Sequence, residues 1–61
     1  MVRYYTVSGD LKNGFDFEYV DYHEKQARDK YDSIRIGGGI TYKVLIATDD
    51  KNGDIIIARE G

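Results

Sequence analysis

The chain is 61 residues long, carries a formal net charge of −2 with both signs mixed, and contains no Cys, Pro or Trp. That length admits one domain, spanning 1–61. The absence of Cys excludes disulfide scaffolds, thiolate zinc sites and thiol nucleophiles, and the slightly acidic balance disfavours a phosphate-binding face.

No apolar run approaches the ~18–20 residues of a membrane span. Met1-Val2-Arg3 leads directly into alternating, strand-like sequence, which predicts no signal peptide. With no Cys to protect, this pattern fits a cytoplasmic protein. A chain of this size buries only about 60% of the surface that its unfolded form exposes. Its area-minus-entropy balance falls near zero, so regular local structure or self-association is expected to add stability.

Residues 2–7, Val-Arg-Tyr-Tyr-Thr-Val, are almost all β-branched or aromatic and predict a strand, with Gly9 at a bulge or at the strand's end. Val2, Tyr4 and Thr6 would share one face; Arg3, Tyr5 and Val7 would share the other. Lys12-Asn13-Gly14 is a hairpin signal, either a two-residue turn or a type I turn with a G1 bulge. Phe15-Asp16-Phe17-Glu18-Tyr19 then alternates as a half-buried antiparallel strand with Asp16 and Glu18 on its wet side.

Asp21, with Glu24 three residues on, predicts a capped helix over about 22–32. Val20, His23, Ala27, Tyr31 and Ile34 trace its apolar stripe, and Glu24 and Arg28 form an i,i+4 pair in the favourable order. Ile34-Arg35-Ile36 reads as a short extended piece and Gly37-Gly38-Gly39 as a flexible connection or hinge. Residues 40–48 form the strongest strand, apolar on both faces over Val44 to Ala47 and therefore central. A turn at 49–54 and a last strand at 55–58 complete the chain. The expected fold is α+β: ββαββ, a four-stranded mostly antiparallel sheet with one helix on one face.

The candidate chemical groups mostly have simpler readings. His23 is the one histidine, and neither Ser8 nor Ser33 sits in a nucleophile pattern; hydrogen bonding beside the buried stripe is expected of it. The residues 10–24 carry Asp10, Asp16, Glu18, Asp21 and Glu24 against Lys12 alone. Raising a carboxyl pKa for acid catalysis needs an apolar pocket that so small a domain has little volume to enclose. Asp50-Lys51-Asn52-Gly53 resembles the middle of a calcium loop, but Thr48 and Arg59 stand where its first and last ligands belong. Gly37-Gly38-Gly39 leads into a strand, whereas phosphate loops lead into a helix. Of the six tyrosines, Tyr4, Tyr19, Tyr31 and Tyr42 are expected to be structural, and Tyr5 and Tyr22 exposed.

The Tyr4-Tyr5 opening strand, the Glu24-Lys25-Gln26-Ala27-Arg28 helix and the Asn-Gly hairpins resemble those of very short uncharacterised proteins encoded by phages, prophages and plasmids of Gram-positive bacteria. The resemblance covers the whole chain loosely and implies a product that binds a host or phage protein.

The expectation is therefore a small non-enzymatic protein-binding module without cofactor or metal, with Tyr5, Asp16, Glu18, Asp21, Tyr22 and Glu24 as its contact residues. The alternative is a structural homodimer, formed through an edge strand or the second sheet face. A weaker alternative is a nucleic-acid-binding sheet on which Arg3, Arg35, Lys43 and Arg59 align beside Tyr5.

Overall fold

The computed structural model describes all residues, 1–61. The elements run β1 (Val2–Leu11), β2 (Asp16–Asp21), α1 (Glu24–Ser33), β3 (Ile40–Asp49) and β4 (Gly53–Glu60). The four strands form one antiparallel sheet in the order β2-β1-β3-β4, so β1 and β3 are central and β2 and β4 are the edges. The expected ββαββ fold is thus present, with longer strands than local propensity indicated. Helix α1 packs on β1, β3 and β2, against one face of the sheet.

Pairing explains the longer strands. Gly9 does not end β1; it lies within the strand, opposite Phe17 on β2 and Lys43 on β3. A Cβ at Gly9 would collide with the Tyr42 carbonyl oxygen and sit 2.8 Å from the Phe17 ring. The missing side chain lets that ring lie over the central strand. The first hairpin closes with Gly14 N–H donating to the Leu11 carbonyl at 3.1 Å and Leu11 N–H to Phe15 at 2.7 Å. Gly14 has φ 93°, the type I turn with a G1 bulge.

Residues 34–36 form no strand. The three glycines after them are not a loose hinge. Gly37 and Ile40 exchange two backbone hydrogen bonds, of 2.8 and 3.3 Å, around Gly38 and Gly39. Both of those residues have positive φ, 61° and 114°, a combination that side chains resist. The Gly39 carbonyl also accepts the Lys12 N–H at 2.7 Å, tying this reversal to the first hairpin.

The core is small. Val7 and Leu45, directly paired across β1 and β3, are fully buried beneath Ala27 and Tyr31 of the helix. Tyr5, Phe17, Ile34, Ile57 and Ala58 pack around them. Fully burying Val7 and Leu45 contributes about 1.5–3 kcal/mol each. The register of β3 on β4 shifts between Leu45 and Ile46, so Ala58 opposes Leu45, Ile56 opposes Ile46, and Ile57 is the extra residue. This bulge turns the consecutive residues Ile57 and Ala58 towards the core, a break in alternation that reading a plain strand does not foresee.

Lys43 is the one buried charged residue, 5% exposed. Its Nζ donates to the carbonyls of Tyr31 at 2.8 Å and Ile34 at 2.7 Å and lies 4.1 Å from the centre of the Tyr31 ring. These carbonyls end the helix, where the chain has run out of intrahelical donors and the peptide dipoles present negative charge. Glu60, 3.7 Å away and mostly exposed, adds a weaker attraction.

Three substitutions test these contacts. Lys43→Met keeps the volume but removes the donor to the Ile34 carbonyl and one of two donors to the Tyr31 carbonyl, which also accepts the Ile34 N–H at 3.2 Å, and should cost about 1–3 kcal/mol in urea unfolding. Lys25→Met, which breaks only the exposed Lys25–Asp29 pair, should stay within about 0.5 kcal/mol of the parent. Gly9→Ala should cost about 1–3 kcal/mol by overpacking against Tyr42 and Phe17, read from the same unfolding curves.

Candidate functional site

With α1 on one side, the alternation of each strand sets which residues remain on the other. Val7 and Leu45 face the helix, so Tyr4, Thr6, Ser8 and Asp10 of β1 and Tyr42, Val44, Ile46 and Thr48 of β3 face away from it. Direct cross-strand partners share a face, which orders this uncovered surface into rows. One row runs Val20, Thr6, Ile46, Ile56 from edge to edge. The next runs Glu18, Ser8, Val44, Arg59. Beyond it Asp16 and Asp10 sit beside Tyr42, and at the opposite end Tyr4, Thr48 and Asp54 complete the face.

The middle of the surface is mixed, with Val44 and Ile46 beside the hydroxyls of Ser8 and Thr6, and the charges lie at its margins. Val20 is 47% exposed and Ile56 55%, both at edges, whereas Val44 is buried with no helix above it. Asp10, Asp16 and Glu18, with Ser8, Phe17 and Tyr42, line a groove of about 410 Å³ at one end. Tyr22, 75% exposed, lines a hollow with Tyr4 and Met1 at the other end. Arg59, Glu18, Asp16 and Asp10 form no ion pair within the chain.

The six expected contact residues divide between two faces. Asp16, Glu18 and Tyr22 belong to the uncovered one. Tyr5, Asp21 and Glu24 lie on the helix side. Tyr5 is half-buried against the core rather than exposed, and its hydroxyl donates to Glu24 at 3.4 Å. Burial and the Glu24 charge push its pKa up. Sequence reading counted Tyr5 exposed because alternation alone does not say which side the helix will cover.

Asp21 and Glu24 do not form the expected capping box. The helix starts at Glu24, and its N-cap is His23, which makes no side-chain cap bond. Asp21 instead accepts the His23 backbone N–H at 2.7 Å and faces the His23 ring, Nδ1 at 3.3 Å. On its other oxygen it accepts the Tyr19 hydroxyl at 2.8 Å. The Gln26 amide, with its nitrogen turned to the carboxylate, reaches both oxygens at 3.1 and 3.0 Å. The carboxylate therefore joins the end of β2 to the first turn of α1. Glu24 turns along the helix to Arg28, whose Nε donates to it at 2.8 Å, the i,i+4 pair read from the sequence.

His23 is exposed and lies off the buried stripe, which consists of Ala27, Tyr31 and the half-buried Ile34. Neither serine attends it: Ser33 donates to the Lys30 carbonyl at 2.7 Å, and Ser8 is on the far face. Tyr19 is 36% exposed rather than buried, and Lys30 lies 5.4 Å from its ring centre. The aligned basic surface suggested for nucleic acid does not form. Lys43 is buried under the helix, Arg59 faces the opposite side of the sheet, and Tyr5 is packed against the core. An open second sheet face is expected from the sequence, but not which residues compose it. Their signal was present in the alternation of Thr6, Val20, Ile46 and Ile56, but strand order was needed to place these residues side by side.

The environment of Asp21 has a pH consequence. The His23 N–H, followed by the Tyr19 hydroxyl, holds its pKa below the ordinary 3.8. A carboxyl depressed in the folded state contributes stability that is present above its unfolded pKa and lost as pH falls through the folded value. Asp21→Asn should therefore lower stability at pH 7 and flatten the fall between pH 4 and pH 2, as read by thermal unfolding across that range. Protein-family models, curated proteins and solved structures contain no match to this chain.

Proposed function

We propose that this chain is a small non-enzymatic protein-binding module whose contact surface is the uncovered face of the sheet. The observation that carries the reading is the row Val20–Thr6–Ile46–Ile56, apolar but for Thr6, exposed at both edges and bordered on one side by Glu18 and Arg59, which have no ion-pair partner in the chain. Apolar centres with polar rims are the usual build of protein contacts, and exposed Tyr22 is the residue type that anchors them. Asp16, Glu18 and Tyr22 are the contact residues retained from the sequence, joined by Val20, Ile46, Ile56 and Arg59. The resemblance to short phage and plasmid products supports a role in modulating a host or phage protein. No helix is long and apolar enough to cross a membrane.

Strand addition at an edge is the other route to a protein contact, and the sheet favours it less. Edge β2 carries Asp16, Glu18 and Asp21, and edge β4 is interrupted by the bulge at Ile57. Charge and bulges both discourage edge pairing. Between its charged margins the face carries neither charge nor bulge on β1 and β3 around Thr6, Ser8, Val44 and Ile46.

A photo-reactive amino acid placed at Tyr22 or Ile56 should form adducts with protein in cells that express the chain. The same group at Lys25, on the outer side of α1, should not. Adducts from Lys25 alone, or from none of the three positions, would refute the assignment of this face.

A further inference from the structure

We infer that the first occupant of the uncovered face is a second copy of the chain, stacked face to face about a two-fold axis parallel to the strands. The inference rests on the proposed contact surface and names its partner.

The argument begins with the placement of charge. Glu18 on β2 and Arg59 on β4 lie in the same row, at opposite edges of the sheet. Three strand spacings, roughly 14 Å, separate them, so they cannot pair within one chain. A two-fold rotation about an axis running along the strands, between β1 and β3, places β2 of one copy over β4 of the other. Glu18 then meets the partner's Arg59, and the symmetry makes the same pair twice.

The other rows obey the same operation. Val20 falls over the partner's Ile56 and Thr6 over the partner's Ile46, so the apolar row covers itself. Ser8 meets the partner's Val44, Tyr4 the partner's Thr48, and Asp10 the partner's Tyr42, whose hydroxyl can donate to a carboxylate. No row sets like charge on like. The perpendicular two-fold, which reverses the rows, would instead lay Glu18 on the partner's Val20 and leave a carboxylate against an apolar side chain.

Geometry and area permit the contact. Two twisted sheets stack about 10 Å apart with strands within about 30° of each other. That rotation displaces edge residues by roughly one position along the strand, within the reach of an Arg side chain. The molecule extends 35 × 19 × 15 Å. Its broadest outline is somewhat smaller than the ~800 Å² that each partner contributes to a standard interface, so the contact must use most of the face. A core of this size also gains most from a second layer.

Sedimentation equilibrium over a dilution series tests the inference. The parent chain should approach twice its 7.0 kDa mass at high concentration, and Ile56→Asp should remain monomeric. Glu18→Arg and Arg59→Glu should each weaken the dimer by about tenfold, since each sets like charges together twice. The double variant, with the charges exchanged, should regain parental association, which only an intermolecular pair permits. Circular dichroism confirms that each exposed variant stays folded. A parent chain that stays monomeric at about 1 mM, or a double variant no better than either single one, would overturn the inference. Adducts to a different protein from Tyr22 or Ile56 alongside a monomeric parent would defeat the dimer and leave the binding-module reading standing. Absence of any adduct from that face would defeat both.

Discussion

The Lys43 ammonium, held under the last turn of α1, is the constraint from which the arrangement of this domain follows. A helix of ten residues ends with carbonyls that have no partner in the helix. Here the Ile34 N–H caps the Tyr31 carbonyl at 3.2 Å, the central strand β3 adds Lys43 as donor to Tyr31 and Ile34 at 2.8 and 2.7 Å, and the Tyr31 ring covers the same charge. The contact joins the helix end to the middle of the sheet, on the face that also carries the buried Val7 and Leu45. The exposed pairs on the helix surface, Lys25–Asp29 and Arg28–Glu24, stabilise by only about 0.3–0.5 kcal/mol each. A buried cation with two carbonyl partners outweighs them.

The other end of the helix is held by an anion. Asp21 binds the backbone of His23, the Tyr19 hydroxyl and the Gln26 amide, and so fixes the path from β2 into the first turn. Between these two polar anchors lies the apolar contact of Ala27 and Tyr31 with Val7 and Leu45. Ala27 is small enough to let the helix sit close to the sheet, and the Phe17 ring fills the space above Gly9. One short helix cannot shield both sides of a four-stranded sheet. The outward residues therefore form a continuous surface, and the functional reading follows from that geometry.

The division of the acidic segment shows how function depends on side. Asp16 and Glu18 on one face and Asp21 and Glu24 on the other are neighbours in sequence, yet serve different ends. The first two border the proposed contact surface with no partner of their own, whereas the second two are engaged in the chain's own hydrogen bonds. A run of negative charge read along the chain looks like one feature. Folded, it is half structural.

Residue pattern alone was enough for the α+β class, the element order, both Asn-Gly reversals, the Ala27–Tyr31 stripe and the central position of β3. Each of these is local: propensity, period and turn chemistry act over a few residues. Strand order, the bulge at Ile57, the tight Gly38–Gly39 reversal, the burial of Lys43 and of half of Tyr5, and the side on which each carboxylate lies were decided by the tertiary structure. Those properties depend on which strands pair and where the helix lands, and they join residues tens of positions apart. The uncovered face belongs to the same class, because Val20, Thr6, Ile46 and Ile56 become neighbours only when β2, β1, β3 and β4 are laid side by side.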